Sequence, residues 1–366
     1  TNGKGSVAEY LSFILTAAWE RCGCYTSPHL VSYTERMRIG NEYINETELN
    51  ALLKEVKENK LAVNETLFAA YTAAAMLWFS RKKADYAVIE TGLGGRLDPT
   101  VCVEPTVTVL TPIDYDHTDL LGNDLRLIAK EKCGIIKPEV SVISAKQYAE
   151  VEAVIVGHCK KMRSPVLFTP PVKIIESTLK GQVFDFEGDR YAIRSIGQIQ
   201  PENAALAILA AKTLGIDTGS IKAGLMYTRL RCRTQYVMGE PDMVIDGGHN
   251  PASIDMLLRT LQEHFKGRKM VLLFGCMKDK DYKTIISMLG GFFSNVYITC
   301  VDKKRGASTE ELNKYFNAFK VCSMEDDPIR AFEKAKETAI KTTSLLVVCG
   351  SFYLAGLVPG IISTKN

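Results

Sequence analysis

The sequence predicts an α/β protein with two domains, and three observations support this prediction. Its 366 residues are more than one ordinary hydrophobic core contains. Short apolar runs of strand length alternate with longer segments of helical periodicity, which is typical of parallel sheets covered by helices. The alternation becomes irregular around residues 230–241 and then starts again. We therefore predict a larger domain over residues 1–232 and a smaller, doubly wound domain over residues 233–366.

The composition restricts the class of protein. Hydrophobic residues make up 46% of the chain and charged residues 24%, as in soluble globular proteins. The net charge of +3 is too small to indicate nucleic-acid binding, and no apolar run of membrane-spanning length or signal-peptide pattern is visible. The ten cysteines are scattered and form no C-x-x-C pair. We expect a cytoplasmic protein with reduced thiols, without a zinc site, a nucleic-acid partner or a membrane anchor.

The printed sequence opens on a stretch that is typical of a phosphate-binding loop: Thr1, Asn2, Gly3, Lys4, Gly5 and Ser6. An apolar run of helical length follows directly. Loop amides, the helix N-terminus and the Lys4 ammonium would then direct positive charge at one point. Ser6 would offer its hydroxyl to Mg²⁺. Because such a loop normally follows a buried strand, we expect a strand ahead of residue 1, whereas the simpler alternative is a flexible terminus.

The next segment is irregular and charged, and Pro28 and Gly40 bracket it. This pattern favours a functional loop, with a solvated connector as the alternative. A helix is predicted over Glu46–Asn59 with Thr47 as its cap. A second helix, over Leu67–Phe79, should be buried because nearly all of its residues are apolar.

An apolar run over Ala84–Glu90 ends in an acid and continues into the glycine-rich stretch Thr91–Asp98. We predict a buried strand with the Glu90 carboxylate at its carboxyl end, where ligands bind in open α/β sheets. A solvated strand end is the alternative for Glu90. A second strand is predicted over Val107–Thr111.

The helix that follows places a lysine on its apolar stripe. Leu125, Ile128, Ala129 and Lys132 recur at helical spacing, so Lys132 should point inward while Lys130 faces away. A buried amine loses its charge readily and can take up CO₂ as a carbamate, a metal-binding carboxylate. The alternative is a lysine that reaches past the apolar stripe to solvent.

The remaining pattern alternates between strands and helices. Predicted elements are strands at Ser141–Ser144 and Val166–Phe168, a hairpin over 172–194, a helix over Asn203–Gly215, strands at Met243–Asp246, Met270–Phe274, Val296–Ile298 and Leu345–Val348, and helices over Ala252–His264, from Asp281 and from Thr309.

Several of these stretches, taken in order, resemble one family. They are Thr1–Ser6, Tyr25–Leu30, Glu90–Asp98, Asp116–Thr118, Glu131–Pro138, Asp246–Pro251, Lys278–Asp281 and Gly350–Leu354. The chain resembles the folylpolyglutamate synthases and bifunctional dihydrofolate/folylpolyglutamate synthases of the Mur ligase superfamily. The resemblance implies a P-loop NTPase-like central domain and a Rossmann-like C-terminal domain. It also implies that ATP phosphorylates a folate carboxylate and that the amine of L-glutamate attacks the acyl phosphate.

The resemblance implies a role for each matching residue. Nucleotide contacts would come from Thr1, Asn2, Gly3, Lys4, Gly5, Ser6, Asn203, Arg233 and Asp246. Two Mg²⁺ ions would be held by Ser6, Glu90, His117 and carbamylated Lys132, with a monovalent cation as a further ligand. Lys4, His117, Lys132, Asp246 and His249 would carry the catalysis. The folate or pterin site would be bordered by Ser27, Pro28, His29, Arg36, Thr66, Phe68 and Asp98.

The sequence departs from the family pattern near the predicted pterin and adenine sites. Ala69 stands where the family usually has an acid, and Cys232 stands where it has glycine. The acceptor therefore stays open between a reduced folate, dihydropteroate and both. Three other functions remain as alternatives: a different Mur-type amide ligase, a P-loop NTPase without an acceptor, and a non-catalytic binding protein. Members of the resembled family are commonly monomers, and we expect a monomer here.

Overall fold

The computed structural model describes residues 2–59, 66–115, 122, 124–316 and 321–358, and the side chains of 321 and 322 are not considered. The chain folds into two compact units. Unit 1 comprises residues 1–176, 182–194 and 200–229, and unit 2 comprises residues 177–181, 195–199 and 230–366. Residues 177–181, 195–199 and 230–232 of the first predicted domain therefore belong to the second unit.

The α-helices are α1 (Lys4–Ala17), α2 (Glu46–Glu58), α3 (Leu67–Arg81), α4 (Leu125–Cys133), α5 (Ala149–Met162), α6 (Gln200–Thr213), α7 (Thr218–Tyr227), α8 (Pro251–His264), α9 (Tyr282–Leu289), α10 (Thr309–Asn313), α11 (Pro328–Lys341) and α12 (Phe352–Gly356). Short 3₁₀ helices lie at Tyr33–Arg36 and Pro99–Cys102. No helix in the described ranges is both long enough and apolar enough to cross a membrane.

The strands of unit 1 form three small sheets. Their bounds are β1 (Cys22–Tyr25), β2 (Met37–Ile39), β3 (Glu42–Tyr43), β4 (Tyr86–Ile89), β5 (Val107–Leu110), β6 (Ser141–Ser144), β7 (Val166–Phe168), β8 (Lys173–Thr178), β9 (Gly181–Phe186) and β10 (Asp189–Ile193). The strand orders are β3-β2-β1-β4, β5-β6-β7 and β10-β9-β8. β1 and β4 run parallel, as do β5, β6 and β7.

Helix α1 lies at the centre of unit 1. It packs against α6, α7, β1 and β4, and Tyr10, Ile14 and Leu15 are almost completely buried. A Cβ atom at Gly224 of α7 would lie 2.3 Å from the Cα of Ile14, so the two helices approach closely only because residue 224 is glycine. This packing fixes the start of α1, where the phosphate loop lies.

The strands of unit 2 form one six-stranded sheet with the order β11-β12-β16-β13-β14-β15. Their bounds are β11 (Gln235–Val237), β12 (Met243–Ile245), β13 (Met270–Phe274), β14 (Asn295–Thr299), β15 (Val321–Glu325) and β16 (Leu345–Cys349). β11 is antiparallel to its neighbour and the other pairs are parallel. Every residue of β12, β13 and β16 is buried, as expected for parallel strands covered on both faces.

Three predictions about individual elements were wrong. Strand β4 is only partly buried, and its residues line a cavity. The cap of α2 is Asn45, whose side chain accepts a hydrogen bond from the Glu48 amide, and Thr47 lies inside the helix. Helix α6 begins three residues earlier than predicted. Pro201 lies in its first turn, where proline is tolerated.

Candidate active site

The phosphate loop leads directly into α1. Gly3 has a φ of +94°, and its carbonyl accepts a 2.9 Å hydrogen bond from the amide of Val7. Lys4 is the first residue of the helix, so its amide belongs to the positive end of the helix dipole. The sequence of a glycine in the left-handed region, a lysine and a helix N-terminus can bind an anion.

The side chain of Asn203 on α6 lies against this loop. A Cβ atom at Gly3 would be 2.5 Å from the Asn203 Oδ1 atom, so both the backbone angle and the available space require glycine there. The Nδ2 group donates to Oε1 of Gln200 over 3.1 Å. The Oδ1 atom is buried and makes no hydrogen bond within the described part of the chain. It is an acceptor next to the loop that a bound molecule could satisfy.

A cavity of ≈ 380 Å³ lies between β4 and β5 in unit 1. It is lined by Lys4 from the phosphate loop, by Glu90 and Gly94 from the segment after β4, and by Lys132 from α4. Three of the residues predicted to act on phosphate and metal therefore share one cavity. The cavity also exposes β4 and β5, which are each the last strand of their sheet.

Glu90 is 6% exposed and is held at its position by both backbone and side chain. Its amide donates to the carbonyl of Tyr25 over 2.9 Å, and its Oε2 atom accepts a 2.9 Å hydrogen bond from the amide of Ser27. The peptide bond between Ser27 and Pro28 is cis. The carboxylate of Glu90 thus joins the end of β4 to the start of the loop predicted to border the folate.

Two glycines bring the segment after β4 against α4. A Cβ atom at Gly95 would lie 2.3 Å from the carbonyl oxygen of Glu131 and 2.8 Å from the Cα of Lys132. A Cβ atom at Gly134 would lie 2.4 Å from the Cα of Arg96. The Arg96 amide donates to the Glu131 carbonyl over 2.8 Å, and their side chains form a 3.0 Å ion pair. This close packing sets where Lys132 enters the cavity.

Lys132 lies on the inner stripe of α4, as the helical spacing predicts. Leu125, Ile128 and Ala129 on the same stripe are buried, Lys130 is exposed, and Lys132 is half-buried beside the cavity. Ser6, Glu90 and a Lys132 carbamate would offer oxygen atoms, the ligands that Mg²⁺ prefers, whereas His117 would offer a ring nitrogen. Within the described residues no group of three or more His, Cys, Asp or Glu side chains could hold a metal ion alone. The metal site predicted from the sequence differs from such a group, because it also uses the Ser6 hydroxyl and a lysine carbamate. Its histidine, His117, lies outside the described residues.

The loop between β1 and β2 is ordered by its own carboxylate. The side chain of Glu35 accepts hydrogen bonds from the amides of Leu30, Val31 and Ser32 over 3.0–3.1 Å. Ser32 caps the short helix Tyr33–Arg36 in a capping box. These hydrogen bonds satisfy three backbone amides of the loop and so hold its conformation.

Aromatic and cationic side chains cluster on this loop and on α3. The rings of Tyr33 and Tyr71 stack with centroids 5.4 Å apart, and His29 lies 4.2 Å from Tyr33. The Arg36 guanidinium lies over both tyrosine rings and donates from Nε to Nδ1 of His29 over 3.0 Å. Burial and the charge of Arg36 lower the pKa of His29, so its imidazole is neutral at pH 7. We call His29, Tyr33, Arg36 and Tyr71 the aromatic cluster.

The other predicted folate residues are placed by α3 and by the segment after β4. Thr66 caps α3 by accepting a hydrogen bond from the amide of Ala69. The ring of Phe68 lies 5.9 Å from that of Tyr25 and fills the space over Gly92, where a Cβ atom would be 2.6 Å away. Both residues therefore have structural contacts beside any ligand contact.

Asp98 holds its own loop together. One carboxylate oxygen accepts from the amide of Leu93 over 2.8 Å, and the other accepts from the amide and hydroxyl of Thr100 over 3.0 and 2.6 Å. The side chain is 4% exposed. This carboxylate is an organiser of the glycine-rich segment, and a contact with pterin stays a prediction.

Asp246 plays a comparable part in unit 2. Its Oδ2 atom accepts from the amide and hydroxyl of Thr234, and its Oδ1 atom accepts from the amide of Gly248. Burial raises the pKa of Asp246, while these hydrogen bonds and the nearby Arg233 charge act against the rise. The carboxylate fixes the turn that carries Arg233 and the turn that carries His249.

Arg233 lies on a turn of unusual backbone geometry. Cys232 and Thr234, on either side of it, have φ angles of +54° and +50°, which non-glycine residues adopt at a cost of about 1–3 kcal/mol each. The guanidinium of Arg233 lies 5.0 Å from the ring centroid of Phe352. The Nδ1 atom of His249 is 2.9 Å from the carbonyl of Gly247, so Nδ1 carries the proton and donates. The neutral ring then has its lone pair on Nε2.

The structure therefore gathers the predicted residues into three places. Lys4, Glu90 and Lys132 share the cavity, His29 and Arg36 belong to the aromatic cluster, and Arg233, Asp246 and His249 lie together in unit 2. Thr1 and His117 lie outside the described residues. Sequence reasoning did not assign Tyr71, Thr234 or Phe352. Tyr71 could have been found from its position three residues after Phe68, which places both on one face of α3.

Two family models match the chain. The Mur ligase middle domain matches residues 1–211, and the Mur ligase glutamate ligase domain matches residues 229–352. The dihydrofolate synthase/folylpolyglutamate synthase of Bacillus subtilis (strain 168) is 30% identical over 96% of this chain and 86% of its own length. The protein of the same name from Escherichia coli (strain K12) is 30% identical over 100% of this chain and 86% of its own length.

Solved structures give the same result. Mycobacterium tuberculosis folylpolyglutamate synthase complexed with ADP and AMPPCP superposes with a TM-score of 0.89 at 27% identity, over 97% of this chain and 88% of the other. E. coli FolC in complex with DHPP and ADP superposes with a TM-score of 0.89 at 28% identity, over 99% and 86% of the two chains. The chain belongs to the Mur ligase family and, within it, to the folylpolyglutamate and dihydrofolate synthases.

Proposed function

We propose that this chain is an ATP-dependent ligase that joins L-glutamate to a folate through an acyl phosphate. The observation that carries the proposal is the shared cavity of Lys4, Glu90 and Lys132 beside the phosphate loop. The names of the relatives, and the ADP, AMPPCP and DHPP bound to two of them, support the same reaction. ATP is then the nucleotide, and the small-molecule partners are a folate or dihydropteroate and L-glutamate.

The reaction needs an activated carboxyl group, because a carboxylate oxygen is a poor leaving group. A folate carboxylate oxygen attacks the γ-phosphorus of ATP, the bond from that phosphorus to the β–γ bridging oxygen breaks, and ADP leaves. The amine of glutamate then attacks the acyl carbon and phosphate leaves with the bonding electrons. Both steps concentrate negative charge, so the task of the protein is mainly to neutralise charge and to position the reactants.

The phosphate loop provides the first part of that charge. Lys4 and the amides at the start of α1 would hold the β- and γ-phosphates. Asn2, Gly3, Gly5, Ser6 and the buried Oδ1 acceptor of Asn203 would complete the nucleotide contacts in unit 1, and Thr1 remains a sequence prediction. A contact between Arg233 and ATP also remains a sequence prediction.

Two Mg²⁺ ions would supply further positive charge at the transferring phosphate. The Ser6 hydroxyl and the Glu90 carboxylate would hold one ion, while Glu90, His117 and a Lys132 carbamate would hold the other. The carbamate forms when the neutral amine of Lys132 attacks CO₂ and releases one proton, which converts a cation into an anionic oxygen ligand. A monovalent cation remains a further expected ligand.

His249 would act on the incoming glutamate. Its Nδ1 proton is engaged by the Gly247 carbonyl, so the neutral ring presents Nε2 as its basic atom. Nε2 can accept a proton from the glutamate ammonium group, which must lose one to become a nucleophile. Asp246 supports this role by holding the Gly248 amide, one residue from His249.

The folate would lie against the loop after β1. The aromatic cluster gives flat faces for a pterin or benzoyl ring, and the Arg36 guanidinium gives a cation for a glutamate carboxylate. Ser27 and Pro28 would bring this loop next to Glu90, and Phe68 would form an adjoining wall with Thr66. Asp98 would shape the pocket by ordering the segment after β4.

The experiment is a coupled ADP-release assay with Mg²⁺-ATP and L-glutamate, run in parallel with dihydropteroate, with tetrahydrofolate and without an acceptor. Release that requires both glutamate and a pterin is expected, and the better acceptor distinguishes the two synthase activities. Release that is indifferent to both would overturn the ligase in favour of a simple NTPase. We also expect a cytoplasmic monomer, which light scattering of the same preparation checks in part.

A further inference from the structure

Segments that follow three strands of unit 2 meet around the ring of Phe352. A Cβ atom at Gly247, after β12, would lie 2.2 Å from Cδ1 of that ring. Gly350, after β16, donates from its amide to the carbonyl of Gly248 over 3.0 Å. A Cβ atom at Gly350 would lie 2.5 Å from the carbonyl oxygen of Gly275, after β13. The glycines at these positions allow three segments to approach closely enough to hold one aromatic ring.

The ring contacts two side chains of the site in unit 2, the Arg233 guanidinium and the His249 imidazole. The Arg233 guanidinium carbon lies 5.0 Å from the Phe352 centroid, within the range of a cation–π interaction. The imidazole of His249 meets the same ring at a centroid distance of 5.8 Å and an interplanar angle of 64°, an edge-on arrangement. Phe352 is half-buried, so it can support side chains that also face a ligand.

Asp246 fixes backbone in this region but leaves the position of the guanidinium undetermined. Its hydrogen bonds reach Thr234 and Gly248, the neighbours of Arg233 and His249. Arginine has a long, flexible side chain that loses much of its rotamer freedom when it is held in one geometry. The aromatic face of Phe352 is the contact that orients the guanidinium beyond the strained turn at Cys232 and Thr234.

We propose that Phe352 is a positioning residue that sets the Arg233 guanidinium and the His249 imidazole together. The inference rests on the proposed function, in which Arg233 meets ATP and His249 meets the incoming glutamate. Because one ring supports both the Arg233 guanidinium and the His249 imidazole, its loss should affect nucleotide use and the amide-forming step at once. If the ring served only the core of unit 2, its loss would lower the stability of the fold without changing either kinetic step.

The test compares Phe352→Leu, Phe352→Tyr and a control, Phe292→Leu, in the full chain. Phe292 is also half-buried in unit 2 but lies just before β14, at the opposite edge of the sheet from the segments after β12 and β16. Steady-state ADP release gives KM for ATP, KM for glutamate and kcat, and thermal unfolding gives Tm for each variant. Phe352→Leu should raise KM for ATP about three- to thirtyfold, the range of a lost cation–π contact, and also lower kcat. Phe352→Tyr keeps a ring and should stay near wild type.

A double-mutant cycle separates positioning from packing. In an Arg233→Ala background, Phe352→Leu should change KM for ATP far less than it does in the wild type, because the supported group is already gone. Equal effects in both backgrounds, or a Phe352→Leu enzyme with wild-type constants, would overturn the proposal. So would a Phe292→Leu variant that reproduces the kinetic losses at the same Tm.

If the wild-type chain releases no ADP in the presence of both glutamate and a pterin, the proposed function has failed. The NMR signals of the His249 ring then test the role of Phe352 by itself. The proposal requires these signals to shift in Phe352→Leu and to stay in place in Phe352→Tyr.

Discussion

The segment after β4 in unit 1 and the segment after β12 in unit 2 have the same sequence pattern but different structures. Each begins with a carboxylate directly after an apolar strand and continues into glycines. Glu90 in unit 1 accepts from the amide of Ser27 on another loop and lines the cavity with Lys4 and Lys132. Asp246 in unit 2 uses one oxygen on Gly248, two residues away, and the other on Thr234, twelve residues earlier.

The two carboxylates differ in what they hold. An aspartate carboxylate is close to its own backbone and readily accepts from amides a few residues away, which organises turns. Asp98 does the same with Leu93 and Thr100. Glu90 instead accepts from the Ser27 amide of another loop and also lines the cavity. We infer that the two aspartates act through the backbone that they hold, whereas Glu90 acts on the ligands in the cavity.

The largest expected effect is at Lys132. Lys132→Ala removes the amine that would become a carbamate, and we expect ligase activity to fall about a thousandfold or more, the scale of a lost charge at a transferring phosphate. Acetate should restore part of the activity by supplying a carboxylate, and bicarbonate should restore none. Glutamate-dependent ADP release measures both.

Lys130→Ala is the matched control, because Lys130 is exposed on the same helix. It should leave activity and Tm unchanged. A Lys132→Ala enzyme with more than a tenth of wild-type activity would contradict the assignment of a metal-binding carbamate.

Glu90 should give the next largest effect. Glu90→Gln keeps the shape of the side chain and an oxygen for the Ser27 amide, but removes the negative charge from the cavity. We expect at least about a hundredfold loss of activity at an almost unchanged Tm. The loss should be partly reversed by raising the Mg²⁺ concentration, and titration of activity against Mg²⁺ measures this.

Glu104→Gln provides the control for this substitution. Glu104 also lines the cavity, but its side chain is 85% exposed and is paired only loosely, over 3.9 Å, with Lys137. Equal losses in the two glutamine variants would show that the cavity charge as a whole matters and that Glu90 has no special part.

A smaller effect is expected where glycine packing positions Lys132. In Gly95→Ala the new Cβ would lie 2.3 Å from the carbonyl oxygen of Glu131, so α4 must shift. Overpacking of this kind costs about 1–3 kcal/mol, and the shift should lower kcat about tenfold by moving Lys132. Gly157→Ala is the control, since nothing lies within 4 Å of that position and alanine favours the helix. A Gly95→Ala variant with wild-type kcat and Tm would show that the segment moves without cost.

Substitution of Asp98 should lower the stability of the protein more than its activity, in contrast to substitution of Glu90. In Asp98→Asn either orientation of the amide turns its NH₂ group toward a donor, at Leu93 or at Thr100. The buried mismatch should lower the free energy of unfolding by about 1–3 kcal/mol, measured by urea denaturation. Activity should fall less than in Glu90→Gln when both are assayed well below their unfolding temperatures. The reverse order, with activity lost and stability kept, would place Asp98 in direct contact with substrate.

Much of this arrangement could be predicted from the sequence because it depends on local order along the chain. A glycine, a lysine and a helix start identify the phosphate loop, and a strand that ends in glutamate identifies Glu90. Helical spacing identifies the inward Lys132, half-buried beside the cavity as expected. The metal and ligand roles of these residues stay predictions.

The remaining features depend on contacts between segments that are distant in the sequence. Tyr33 and Tyr71 stack across two elements, and Asp246 bonds to Thr234, twelve residues earlier. The partial exposure of β4 depends on what lies beside it, which a run of apolar residues does not reveal. Phe352 falls within a family motif, but only the structure shows the guanidinium on its ring.

The smallest expected effect is a pH dependence of stability that comes from the aromatic cluster. Burial and the Arg36 charge lower the pKa of His29 in the folded chain below its ordinary value of 6.5, against a weaker opposite effect of Glu35. The unfolded chain therefore binds the proton at higher pH than the folded chain does. The resulting stability is complete above pH 6.5 and is lost as the pH falls toward the folded pKa.

Urea midpoints at pH 7.5 and pH 5.5 should differ more in the wild type than in His29→Gln, which cannot titrate. His158, whose pKa is also lowered by burial, contributes equally to both proteins and cancels. Identical pH dependence in the two would mean that the folded loop accepts a protonated His29, and the neutral imidazole would then have no part in ordering the folate-facing surface.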